Sequence, residues 1–156
     1  MGKKDWKNLS YDDFTGFVAV TAILLFVLYF GGLWYTTYDY RIQMRDQMVE
    51  MYQQLPNPIP PIEDDYGVHQ RWLVFYIDGV KVLNKPQPEN VINEYKKALE
   101  KEGWATEREY IRNDKNKTYG INMRKGEFVL SVSAQENRDS INIHLIKRDW
   151  IYNKGF

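Results

Sequence analysis

The sequence predicts an α+β protein carried behind an N-terminal transmembrane helix: one helix packed on an antiparallel sheet, in the order strand or hairpin, helix, four-stranded meander. Three observations predict it. Phe14 to Tyr38 contains no charged residue, the stretch opening at Pro88 has apolar residues at helical spacing, and from Trp104 onward apolar and polar residues alternate.

The uncharged run comes first. A hydrocarbon core of about 30 Å needs about 20 apolar residues in a helix, and Phe14 to Tyr38 is long enough to span it with some tilt. Tyr11 and Phe14 at one border, with Trp34, Tyr35 and Tyr38 at the other, are the rings expected at headgroup level. The apolar run continues through Gly31, Gly32, Leu33 and Trp34 and does not end in an A-x-A cleavage site, so it reads as an uncleaved signal anchor. Lys3, Lys4 and Lys7 outweigh Arg41 and Arg45, which predicts a cytoplasmic head (1–13), a transmembrane helix (14–38) and an external tail.

Residues 39–55 are polar but periodic. Met44, Met48, Met51 and Leu55 draw one apolar stripe along a juxtamembrane helix that continues from the span, while Arg45, Asp46, Gln47, Glu50 and Gln53 point away. The stripe is either a seam for a partner helix or second copy, or a surface packed on the chain's own domain or the membrane. Pro56-Asn57-Pro58-Ile59-Pro60-Pro61 ends the helix, since proline lacks an N–H and disfavours helix in the residue before it. Residues 56–65 then read as a stiff linker, its Glu63-Asp64-Asp65 a solvated face that lacks the glycine-centred loop of a calcium site.

The domain is expected over 66–156. Trp72 to Ile77 and Val80 to Leu83 are β-rich and flank Asp78-Gly79, the dipeptide that best tolerates a tight turn, so a hairpin there is the first expectation and one bent strand the second. Val91, Ile92, Tyr95, Ala98 and Leu99 form the apolar stripe of an amphipathic helix. Pro88 suits its first turn, Glu89 and Lys101 complement its dipole, and Gly103 supplies a left-handed cap. Trp104 to Arg112, Thr118 to Arg124, Glu127 to Ala134 and Ser140 to Arg148 then alternate as strands separated by short polar turns, each with one apolar face for the helix. That order of elements is the order in a cystatin-like fold, a likeness that carries no inhibitory function.

The segment Val91 to Trp104 also resembles the helix of a widespread kind of bacterial membrane- or lipid-anchored extracytoplasmic domain of unknown function. Such domains have a proline-rich approach, a strand, a V-x-x-x-Y-K-x-x-L-x-x-x-G-W helix and a meander with a K-G turn. Pro56 to Pro61, Val91, Tyr95, Lys96, Leu99, Gly103, Trp104 and Lys125-Gly126 match, over most of Leu55 to Trp150. This chain departs from them by lacking an anchoring cysteine. The resemblance implies a location in the bacterial cell envelope and no activity; its matched residues are structural, with Tyr95 and Leu99 packing, Gly103 capping and Trp104 filling the core.

Little chemistry stands beside this. Lys+Arg and Asp+Glu are equal at 21 each, leaving no basic patch for nucleic acid. Cysteine is absent, which excludes disulfides, thiolate catalysis and thiolate metal sites. The two histidines, His69 in a loop and His144 on the polar face of the last strand, lack metal-ligand spacing. No catalytic, cofactor or metal-ligating set emerges, and the expectation is a non-enzymatic, single-pass protein of the bacterial inner membrane, holding its domain outside for partner binding or assembly. The alternatives are a pilin-like or secretion-assembly subunit, suggested by Gly16-Phe17 but lacking a glutamate at Thr21, and an accessory subunit of a membrane enzyme complex.

Overall fold

The computed structural model describes residues 11–84, 86–113 and 116–153, so the head expected at 1–13 falls almost wholly outside the described residues. The chain divides into two compact units, Met1–Tyr40 and Arg41–Phe156.

The first unit is built on α1 (Tyr11–Thr36). Its segment Phe14–Thr36 is long and apolar enough to cross a membrane, and Phe17, Leu25, Leu28 and Tyr29 are all exposed, unlike the core helix of a soluble protein. The chain is thus compatible with a single-pass membrane protein. The helix does not run on unbroken as the sequence suggests. The Thr36 and Thr37 hydroxyls donate to the carbonyls of Gly32 (2.8 Å) and Leu33 (2.7 Å) at its end, and such back-bonding loosens helical backbone. The chain turns at Thr37, and α2 (Tyr38–Gln53) starts anew.

The second unit has the order α2, β1 (Glu63–Arg71), β2 (Val74–Val82), α3 (Pro88–Lys101), β3 (Ala105–Asn113), β4 (Lys117–Lys125), β5 (Phe128–Gln135), β6 (Ser140–Lys147) and a short α4 (Trp150–Asn153). The strands form one antiparallel sheet in the order β1-β2-β6-β5-β4-β3: the meander β3 to β6 receives the β1-β2 hairpin on its last strand. Because side chains alternate, register sorts the sheet into two faces. On one, Ile77, Leu145, Leu130 and Met123 make a row across four strands, and Gly79, Ile143, Val132 and Ile121 make the next. Both rows are buried.

Two helices cover that face, where the sequence suggested one. α3 lies over β3, β4 and β5 and buries Val91, Ile92, Tyr95 and Leu99. Its end is a Schellman motif: Trp104 N–H donates to Leu99 O (3.0 Å) and Gly103 N–H to Glu100 O (3.1 Å), with Gly103 at φ +85° and Trp104 buried. α2 covers the other half. Tyr52 reaches Gly79 on β2, Gln53 donates to the Tyr66 hydroxyl on β1 (3.2 Å), and Gln47 accepts from Lys147 at the end of β6 (3.0 Å).

Three expectations are corrected by this arrangement. The folded unit begins at Arg41, not at residue 66, and β1 starts at Glu63 inside the expected linker. The proline segment is not a free spacer: Lys81 donates to Asn57 Oδ1 (2.5 Å) and Ile62 N–H donates to Val82 O (2.7 Å), pinning it to the sheet. At Asp78-Gly79 the first expectation falls and the second holds: the hairpin turns at Trp72-Leu73, and Asp78-Gly79 lies within the single strand β2. Gly79 is needed there for close approach: a Cβ on it would meet Tyr52 Cζ at 2.6 Å, so glycine is what lets α2 seat on the strand.

Candidate functional site

The stripe offered by the sequence as a partner seam is not a free surface. Met44, Met48 and Leu55 are buried, Met48 with 0 % exposure, and Met51 is half-buried in a groove beside Lys125, Gly126 and Phe128. The physical reason is the width of the sheet: α3 covers only three strands, so the apolar residues of β2 and β6 need a second helix, and α2 is the amphipathic segment within reach. Tyr95, Leu99, Gly103 and Trp104 occupy the core and cap positions just described.

Beneath α2 lies a polar cluster. Lys81 has 2 % of its side chain exposed and donates to Asp64 Oδ2 (2.8 Å) as well as to Asn57, and Tyr52 donates to Asp64 Oδ1 (3.3 Å). Burial first, and the Asp64 charge second, push the Tyr52 and Tyr95 hydroxyls above the ordinary tyrosine range. The Tyr95 hydroxyl is buried and makes no hydrogen bond among the described residues. This cluster pairs its buried Lys81 with the partly exposed Asp64, and so holds α2, the proline segment and the sheet together.

The other face of the sheet is the one left open, and there the register assembles side chains that sequence distance hides. Asp78, His144, Ser131, Asn122 and Arg108 stand in one row across five strands. Asp78 Oδ1 lies 2.6 Å from His144 Nδ1, and Asp78 Oδ2 lies 3.9 Å from His69 Nε2. Tyr76 sits between the imidazoles, stacked on His69 with centroids 5.2 Å apart and tilted against His144 at 5.5 Å. His69 is therefore in strand β1, not in a loop. Asp78 and the two imidazoles are each about half exposed.

The chemistry of this row is orientation and hydrogen bonding. A carboxylate holding His144 Nδ1 orients the ring, yet the Ser131 hydroxyl donates to Asn122 Oδ1 (2.8 Å), which commits its proton away from an activating base. Among the described residues no group of three or more His, Cys, Asp or Glu side chains is placed to hold a metal ion. What the face does present is flat rings beside a carboxylate, hydroxyls and amides, an arrangement for stacking and hydrogen bonding. The sequence signal for it was the alternation Tyr76, Asp78, Val80, which a turn assignment at Asp78-Gly79 interrupts.

No protein family, curated protein sequence or solved structure matches this chain. The fold and the site define a class all the same: a two-layer α+β unit with one helix-covered and one open sheet face, preceded by a helix able to span a membrane.

Proposed function

We propose that this chain is a non-enzymatic single-pass protein of the bacterial inner membrane, with its N-terminus in the cytoplasm, and that it displays its α+β unit outside to bind a partner protein. The open sheet face around His69, Tyr76, Asp78 and His144 receives that partner. The observation that carries the reading is the asymmetry of the sheet: one face is sealed by α2 and α3, and the other keeps a half-exposed ring and carboxylate cluster. The resemblance of Val91 to Trp104 to envelope domains and the excess of lysine before the span support the location and orientation.

A photo-crosslinking residue tests it directly. Benzoylphenylalanine in place of Tyr76 should give a discrete adduct in cells, whereas the same residue in place of Lys97, exposed on α3, should not. Equal labelling from both positions, or none from Tyr76, rejects the open face as the binding surface. Orientation is read separately, because the chain has no cysteine. A single cysteine at Asn137 should react with an impermeant maleimide in intact cells, and one at Lys4 only after permeabilisation.

A further inference from the structure

A second surface, at one end of the folded unit, is distinct from the open face. The β1-β2 turn, the β4-β5 turn and the end of β6 all lie at this end, since Arg71 pairs with Val74, Lys125 with Phe128, and Arg148 N–H donates to Glu127 O (2.7 Å). α2 enters here as well. Its Gln47 reaches Lys147 near this end and its Tyr52 reaches Gly79 further along the strands, so tracing α2 back toward Arg41 leads to the level of the two turns.

Two indoles are exposed at this end, Trp72 by 44 % and Trp150 by 48 %, with exposed Arg71 and Arg148 beside them in sequence. Trp72 is further marked by its backbone, at φ +57° in the turn. A two-residue hairpin turn asks for that conformation at its first position, where glycine and asparagine take it readily and a bulky aromatic does not, so tryptophan is an uncommon and strained choice there. Indoles with an apolar body and an N–H favour the headgroup level of a bilayer, and arginines are drawn to its phosphates.

From these features we infer that the Trp72 and Trp150 end of the folded unit rests on the bilayer surface, inserting both indoles among the lipid headgroups. This rests on reading α1 as a membrane span. The chain passes from Thr36, where α1 ends, to Arg41 in a stretch that reaches about 18 Å at most when extended, so the covalent chain keeps this end near the membrane. At the resulting effective concentration even a weak interfacial affinity is satisfied. The occupant is the lipid of the protein's own membrane.

The absence of cysteine allows a clean test on the full chain in nanodiscs of phosphatidylcholine and phosphatidylglycerol. An environment-sensitive dye on Asn153→Cys, at the end of α4, should be quenched by headgroup-level spin-labelled lipid, and the same dye on Asn137→Cys, in the β5-β6 turn at the opposite end, should not. Adding Trp72→Asn and Trp150→Ala should abolish the quenching at position 153. Trp72→Asn also relieves the turn, so the melting temperature should hold or rise, which separates lost docking from lost folding. Absent quenching at position 153, or quenching that survives the double substitution, overturns the inference. Failure of the chain to enter nanodiscs at all instead rejects the span.

Discussion

Met48 lies on the sheet-facing side of α2 with no surface exposed, and its burial makes a clear prediction. Met48→Gln buries an amide among apolar neighbours and should lower the stability of the folded unit by about 1–3 kcal/mol, seen as a lower melting temperature. A stripe facing a separate partner would leave that temperature unchanged. Gly79 gives a second test at this scale. Its alanine variant would set a Cβ 2.8 Å from Tyr52 Cε2 and closer still to the hydroxyl, an overpacking cost of about 1–3 kcal/mol. Because the hydroxyl is the nearest obstacle, Gly79→Ala combined with Tyr52→Phe should cost less than the two changes summed, as measured by chemical denaturation of all four species. Additive losses would mean that the glycine serves the strand backbone and not the seat of α2.

Among elements, α3 and α2 contrast. Everything that makes α3 a helix is local: Pro88 in its first turn, the stripe from Val91 to Leu99, and Gly103 with Trp104 closing the Schellman motif. α2 has a thin methionine stripe on a polar segment, and its place is decided by a sheet assembled from residues far along the chain. A chain begun at Arg41 should therefore give a cooperative thermal transition and a monodisperse elution profile. One begun at Tyr66 loses α2 and the start of β1, uncovers the row of Ile77 and Leu145, and should aggregate. Equal behaviour of the two would place α2 outside the cooperative unit.

For the whole molecule, charge balance at neutral pH gives way to a tyrosine effect under alkaline conditions. Tyr52 and Tyr95 are held protonated by burial and by the Asp64 charge, so their folded values lie above the unfolded ones. Below the ordinary tyrosine value of about 10 both hydroxyls are neutral in either state and leave stability independent of pH; above it the unfolded chain loses these protons first, and stability falls. The melting temperature should accordingly fall from about pH 10 upward. Lysines lose charge in the same range, so the comparison with Tyr95→Phe isolates the tyrosine. That variant should fall less steeply, and at neutral pH it should be at least as stable as the parent, because it deletes a buried hydroxyl that has no hydrogen-bond partner among the described residues. An unchanged alkaline slope in Tyr95→Phe would remove that residue from the account.

What the sequence by itself determined is whatever one window of residues can encode. The apolar length of α1, the stripe and cap of α3, and the alternation of β3 to β6 depend on neighbours along the chain, and each lies within a few residues of its expected place. The tertiary structure alone decided the rest. Asp78-Gly79 has the composition of a turn, yet the pairing of β1 with β2 moves the turn to Trp72-Leu73 and leaves Gly79 to admit Tyr52. The methionine stripe left its partner open until a six-stranded sheet supplied one. His69 and His144 become neighbours of one carboxylate only because β6 inserts between β2 and β5. Strand order and register are settled by contacts between distant segments, and a shift of one residue in β2 would turn Asp78 to the other face, away from both histidines.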